Sequence, residues 1–231
     1  SFGNDINEQD NNCYQILEVN PNEFLVGTLK GLLKLEIKNS FYEKAQSKLI
    51  LPSSFKGIDF TEYKFLSVVN SRGNIYTNDK HSSTSYLLKN DKLTPFTKYN
   101  GDLIYTDDKS NILTYKRNIG AVLIYSQSKV DTIYLEKEKK IELNSINFFK
   151  DEIYICTING IYVVKNNKII DHITTKEGLS SNSVQSIYID KNKNFWCATE
   201  NGLSLYDNDT KRWFVLNTTN GLLNNFIYWV F

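Results

Sequence analysis

Along this chain, short apolar runs break off again and again at a Gly or Asn set among polar residues. The first is Phe24-Leu25-Val26-Gly27-Thr28-Leu29-Lys30-Gly31-Leu32. The pattern returns as Ile153-Tyr154-Ile155-Cys156-Thr157-Ile158-Asn159-Gly160-Ile161 and as Phe195-Trp196-Cys197-Ala198-Thr199-Glu200-Asn201-Gly202-Leu203. Looser copies lead from Leu66 to Gly73 and from Ile104 to Asn111. The turn positions 31, 73, 111, 160 and 202 lie 42, 38, 49 and 42 residues apart. Each copy predicts two short strands joined by a tight turn, because Gly and Asn tolerate the positive φ that hairpin turns demand.

A second signal frames the hairpin. Gly178-Leu179 and Gly221-Leu222 are 43 residues apart, each followed by an Asn (Asn182, Asn225) and then a β-branched residue (Val184, Ile227). Val184–Ile189 predicts a strand before the hairpin, and Trp213–Asn217 one after it. Four antiparallel strands in about 42 residues is the arithmetic of a β-propeller blade. The expected fold is therefore all-β, with blades near 12–54, 55–92, 93–128, 144–177 and 178–220. Residues 129–143 are expected to be a hairpin insertion and 221–231 the start of a next blade, which makes the chain part of a longer propeller.

Composition agrees with strands and narrows the partners. Fifteen Tyr and thirteen Phe suit a β fold. With 27 basic and 26 acidic residues, no net field favours nucleic acid or an anionic membrane. No apolar run approaches the ~18–20 residues of a membrane span, and Ser1-Phe2-Gly3-Asn4 does not read as a signal peptide. Cys13, Cys156 and Cys197 are too scattered for a disulfide scaffold or zinc site and read as small buried hydrophobes.

The residues offer little chemistry for catalysis. His81 and His172 stand 91 residues apart with no metal-ligand spacing, so no metal or cofactor is expected. His172 reads as a surface residue of a strand and His81 as part of a solvated turn. Asp107-Asp108 and Asp207/Asp209 fall at strand ends, where solvated turns account for them. Trp196 is expected between blades, and Trp213 on an outer edge.

The stretch 178–206 resembles the two-component-regulator propeller repeat. Gly178, Leu179, Asn182, Val184, Asp190, Trp196, Thr199, Gly202, Leu203 and Tyr206 occupy that family's pattern. The likeness is strong over 178–225, fair over 151–165 and 23–37, and weak over 55–120, where the Trp and the Gly-Leu opening are missing. The resemblance implies the periplasmic sensor of a bacterial hybrid two-component system. It also implies an oligosaccharide ligand, a kinase elsewhere in the full-length protein and a homodimeric receptor. Propeller geometry places the ligand on the rim that carries the Gly turns and the loops entering the blades. The candidates there are Lys30, Arg72, Asn182, Glu200 and Asn225. Amide and charged side chains suit sugar hydroxyls. Competing readings are a protein-interaction propeller and a propeller lyase or glycosidase. For Asn182 and Asn225, capping of the loop backbone is the readier explanation and by itself accounts for their recurrence.

Overall fold

The computed structural model describes residues 13–28, 31–37, 46–50, 65–79, 82–107, 109–127, 129–136 and 141–230. Among them are five four-stranded sheets, each a meander in which successive strands are neighbours. The first sheet holds β1 (Cys13–Asn20), β2 (Glu23–Thr28), β3 (Leu32–Glu36) and β4 (Gln46–Ile50). The second holds β5 (Phe65–Ser71), β6 (Asn74–Asp79), β7 (Thr84–Lys89) and β8 (Lys92–Pro95). The third holds β9 (Leu103–Thr106), β10 (Ile112–Lys116), β11 (Ala121–Tyr125) and β12 (Val130–Tyr134). The fourth holds β13 (Leu143–Phe149), β14 (Glu152–Thr157), β15 (Gly160–Lys165) and β16 (Lys168–Ile173). The fifth holds β17 (Val184–Ile189), β18 (Phe195–Thr199), β19 (Gly202–Asp207) and β20 (Arg212–Leu216). Each sheet is one blade, and the all-β propeller architecture expected from the repeat is the one found.

The chain divides into two compact units, Ser1–Lys116 with Val122–Val130, and Arg117–Ala121 with Asp131–Phe231. In the first unit, Leu25, Leu32 and Ile50 of the first blade pack on Val68, Tyr86 and Leu93 of the second. Val69 and Tyr76 pack in turn on Ile104 and Ile112 of the third blade. In the second unit, Tyr154, Cys156, Ile161, Val163 and Ile173 of the fourth blade meet Leu179, Val184, Ile187, Phe195 and Cys197 of the fifth. Alternation along the strands places these side chains on the faces between blades. Burying one such side chain contributes roughly 1.5–3 kcal/mol. Cys156 and Cys197 are free thiols in that core, as their apolar runs suggested, and burial pushes the Cys156 thiol up to about 12.

The phase of two repeats differs from expectation. The turns at 28–32, 157–160 and 199–202 join second to third strands. Gly73 and Asn111 instead sit between first and second strands, β5–β6 and β9–β10. Both kinds of hairpin call on the left-handed region, with Arg72 at φ 53°, Gly73 at 76° and Ser110 at 59°. A Gly or Asn after an apolar run therefore marks a turn without saying which one. Residues 130–134, expected as part of an insertion, are the outermost strand of the third blade. Trp196, expected between blades, is 40% exposed. It pairs with Tyr188 and Leu205, on the face of β18 opposite that of Phe195 and Cys197, which enter the core. Residues 222–230 follow the fifth blade without strand assignment.

Candidate functional site

In a four-stranded meander, the second-to-third turn and the loop entering the blade lie at one end. The other two turns lie at the opposite end. In the second unit the first of these ends is built from two copies of one device. Thr157 Oγ1 donates to the Gly160 carbonyl at 2.9 Å and accepts from the Asn159 amide at 3.0 Å. Thr199 Oγ1 does the same toward Gly202 and Asn201, at 2.8 and 3.0 Å. Gly160 and Gly202 take φ of 107° and 108°, and a Cβ on either would run into the carbonyl of Ile173 or Leu216. Asn201, beside Gly202 in the turn, is not left-handed. Its Nδ2 donates to the Ser180 carbonyl at 3.2 Å instead.

The loop 174–183 is tied to both turns. The Asn182 carbonyl accepts from the Gly160 amide at 2.6 Å, and the Ser183 carbonyl from the Glu200 amide at 3.2 Å. Asn182 Oδ1 accepts the Thr175 amide at 2.8 Å, closing the loop on itself. Glu177 Oε2 accepts both the amide and hydroxyl of Thr174 at 2.7 Å, and these hydrogen bonds hold its carboxyl below the usual range. The next copy repeats the frame. The Asn225 carbonyl takes the Gly202 amide at 2.6 Å, and its Oδ1 takes the Thr218 amide at 2.7 Å.

The sequence-predicted candidates fall as follows. Asn182 is exposed, Asn225 half-buried, and each commits its side-chain oxygen to a loop amide. Glu200 is exposed, anchored through its backbone, and its carboxylate has no partner among the described residues. Arg72 is exposed in the β5–β6 turn, at the opposite end of its blade from the β6–β7 turn. Lys30 lies outside the described residues, as do His81 and Asp108. The structure thus brings Asn182 and Glu200 onto one rim of the second unit. Asn225 stands at the equivalent place in the following loop.

Sequence reasoning missed a second feature of this unit. Along the outer part of the junction between the fourth and fifth blades runs a cleft of about 300 Å³. Tyr154, Val163 and Phe195 line it beside Tyr206 and Trp213 of the fifth blade. Phe195 stacks on Tyr206, and Trp213 packs tilted against both, with centroids 5.0–6.3 Å apart. Trp213 lies so close over Gly178 that any Cβ there would strike the indole, which explains a glycine in the Gly178-Leu179 pair. At one end, Glu152 pairs with Lys193 at 2.7 Å and accepts the Tyr154 hydroxyl at 2.7 Å. Burial opposes ionisation of Glu152, but Lys193 and the Tyr154 hydroxyl outweigh it and hold the carboxyl below its ordinary value. Its sequence signal was faint: Asp171 interrupts the apolar run Ile169–Ile173.

His172 is half-buried, stacked on Tyr162 with centroids 4.1 Å apart, its Nε2 2.9 Å from the Asn159 carbonyl. Asp107 and Asp207 spend their carboxylates on the amides of their own turns. Among the described residues no three His, Cys, Asp or Glu side chains are placed to hold a metal ion. No helix of the described residues is long and apolar enough to cross a membrane.

These blades and turns define a β-propeller. Within it, residues 178–201 match the family model described as two component regulator propeller, so the fifth blade opens with a repeat of that kind. Solved propellers cover most of the chain at low identity. Virginiamycin B lyase from Staphylococcus aureus aligns with TM-score 0.62 and 13% identity over 89% of this chain and 69% of its own. The extracellular domains of two proteins described as hybrid two component systems of B. thetaiotaomicron align over 96% of this chain. They do so with TM-scores of 0.50 and 0.52 and identities of 17% and 16%. The chain spans 42% and 36% of those two domains. At such identities the likeness speaks for the fold. No curated protein matches the sequence.

Proposed function

We propose that this propeller is a non-catalytic ligand-sensing region, the periplasmic part of a hybrid two-component histidine kinase. On this reading it binds an oligosaccharide at the rim of turns and entering loops. The observation that carries the reading is the double tether of loop 174–183, from the Gly160 amide to Asn182 and from the Glu200 amide to Ser183. The tether fixes the backbone and, among the described residues, leaves the Glu200 carboxylate and the Asn182 Nδ2 unpartnered. A fixed frame with unpaired acceptors and donors suits sugar hydroxyls, because little ordering cost remains for binding. The repeat at 178–201 and the extracellular neighbours support the sensor class and an extracytoplasmic location.

Signalling would follow from paired receptors whose two arrangements bind the ligand unequally. The shift is limited to that difference in affinity. A glycan array followed by calorimetry tests the proposal. Saturable binding of a defined oligosaccharide, weakened by Glu200→Ala, is expected. Absence of any glycan binding together with stoichiometric capture of a protein partner would overturn it.

A further inference from the structure

The cleft between the fourth and fifth blades carries a charge where blade packing calls for an apolar side chain. On β16 the register slips by one residue between the pairs Val163–Asp171 and Val164–Ile169, leaving Ile170 as a bulge. Directly paired residues share a face, so Asp171 stands on the same face as Val163, which packs against the fifth blade. In the fifth blade the corresponding pair is Leu205 with Phe214, in a ladder with no slip. Bulges re-aim side chains and gather near functional sites. Here the bulge sets a carboxylate beside an aromatic wall. The Asp171 charge reaches the Tyr154 phenol and helps raise its pKa, after burial and the bond to Glu152.

Asp171 spends one carboxylate oxygen on the His172 amide at 2.8 Å. The cleft lining holds three carboxylates, those of Glu152, Asp171 and Glu177, against the single ammonium of Lys193. Glu152 is neutralised by Lys193 and Glu177 is turned to Thr174, while Asp171, among the described residues, has no ion-pair partner and faces the cleft. Opposite it stand Tyr206 and the half-buried Trp213, whose faces attract cations and stack on flat groups.

We infer that this inter-blade cleft is a second binding site, for an organic cation: an ammonium or guanidinium group carried on a compact apolar body. The head pairs with Asp171 while the body lies along Trp213, Tyr206 and Ile170. A guanidinium fits best, because it stacks on an aromatic face and forks onto a carboxylate at once. The cleft reaches the rim loop at Glu177, but its anchor Asp171 lies on β16 and shares no residue with the Asn182–Glu200 pair proposed for sugar. It stands or falls independently of that reading.

The test is calorimetry of the intact chain with agmatine, with a blocked Gly-Arg-Gly peptide, and with methyl glucoside and benzoate as neutral and anionic controls. Tryptophan emission is followed in parallel. Saturable binding of agmatine or the peptide is expected, weakened at least about tenfold in Asp171→Asn. The emission change should vanish in Trp213→Leu. Binding by agmatine alone assigns a small free cation, and binding by the peptide alone assigns an arginine side chain of a polypeptide. The inference is overturned if neither cation saturates, if Asp171→Asn binds as well as the parent, or if the controls bind equally. Asp171→Asn changes one exposed group, so an unchanged unfolding midpoint separates loss of binding from loss of fold.

Discussion

The fourth and fifth blades share a backbone and differ in what they hang on it. Their second-to-third turns are the same to within about 0.1 Å in each hydrogen bond. Their glycines differ by one degree in φ. The side chains around that frame diverge. Where the fifth blade has Ser204 and Val215, the fourth has Tyr162 and His172, stacked on each other and linked to Asn159 and Glu136. Where the fifth blade binds its entering loop through Ser180, Thr199 and Ser204 hydroxyls 2.8–2.9 Å apart, the fourth, among the described residues, spends its Thr157 on its own turn. And where β20 runs straight, β16 bulges. The lesson is that the repeat specifies turns and loop anchors, while the chemistry lives in substitutions that the repeat permits.

The comparison breaks most sharply at the glycines. Gly160→Ala and Gly202→Ala should each destabilise the protein by about 2–4 kcal/mol, since a Cβ meets backbone carbonyl in a region closed to L-residues. Equal shifts in the denaturation midpoint support a shared frame. A large loss at one and none at the other would show that the two turns are not equivalent. Gly73→Ala, with open space around its Cβ, should cost only about 1–2 kcal/mol in the same assay.

The threonines sharpen the difference. Thr199→Val removes the partner of Gly202, Asn201 and Ser180, whereas Thr157→Val removes that of Gly160 and Asn159 alone. Both sites are fully buried. Thr199→Val should therefore cost about 2–3 kcal/mol and Thr157→Val about 1–2 kcal/mol, measured by urea unfolding. The reverse order would contradict the role given to the hydroxyl network.

The smallest effect concerns acid. Glu152 has a folded-state pKa below its unfolded value, so its pairing stabilises the fold at neutral pH. That contribution is lost as pH falls from the ordinary carboxylate value of about 4.3 through the lower folded one. Glu152→Gln should narrow the gap in melting temperature between pH 7 and pH 3, and a gap unchanged from the parent would remove the pair from the acid response.

How far the sequence carried these conclusions depended on burial. The fourth and fifth blades were legible because Thr157, Gly160, Thr199 and Gly202 meet hard steric and hydrogen-bonding demands that few residues satisfy. The second and third blades were read out of phase because first-to-second hairpins use the same left-handed residues, as Arg72 and Gly73 do. β12 escaped notice because an outermost strand buries little: of Val130–Tyr134 only Ile133 is buried. Trp196 lies on the face of β18 away from the fourth blade, and alternation alone does not say which face a strand aromatic takes. The cleft was hidden because a bulge breaks that alternation. Asp171 is exposed, and only its pairing with Val163 places it on the face toward the fifth blade.

The most direct test of a sensing rather than a processing propeller follows the fate of a bound sugar. An oligosaccharide that binds in calorimetry is incubated with the protein and then analysed by mass spectrometry and chromatography. The account predicts saturable, Glu200-dependent binding with the oligosaccharide recovered chemically unchanged. Its cleavage or elimination at a rate proportional to protein concentration would contradict it.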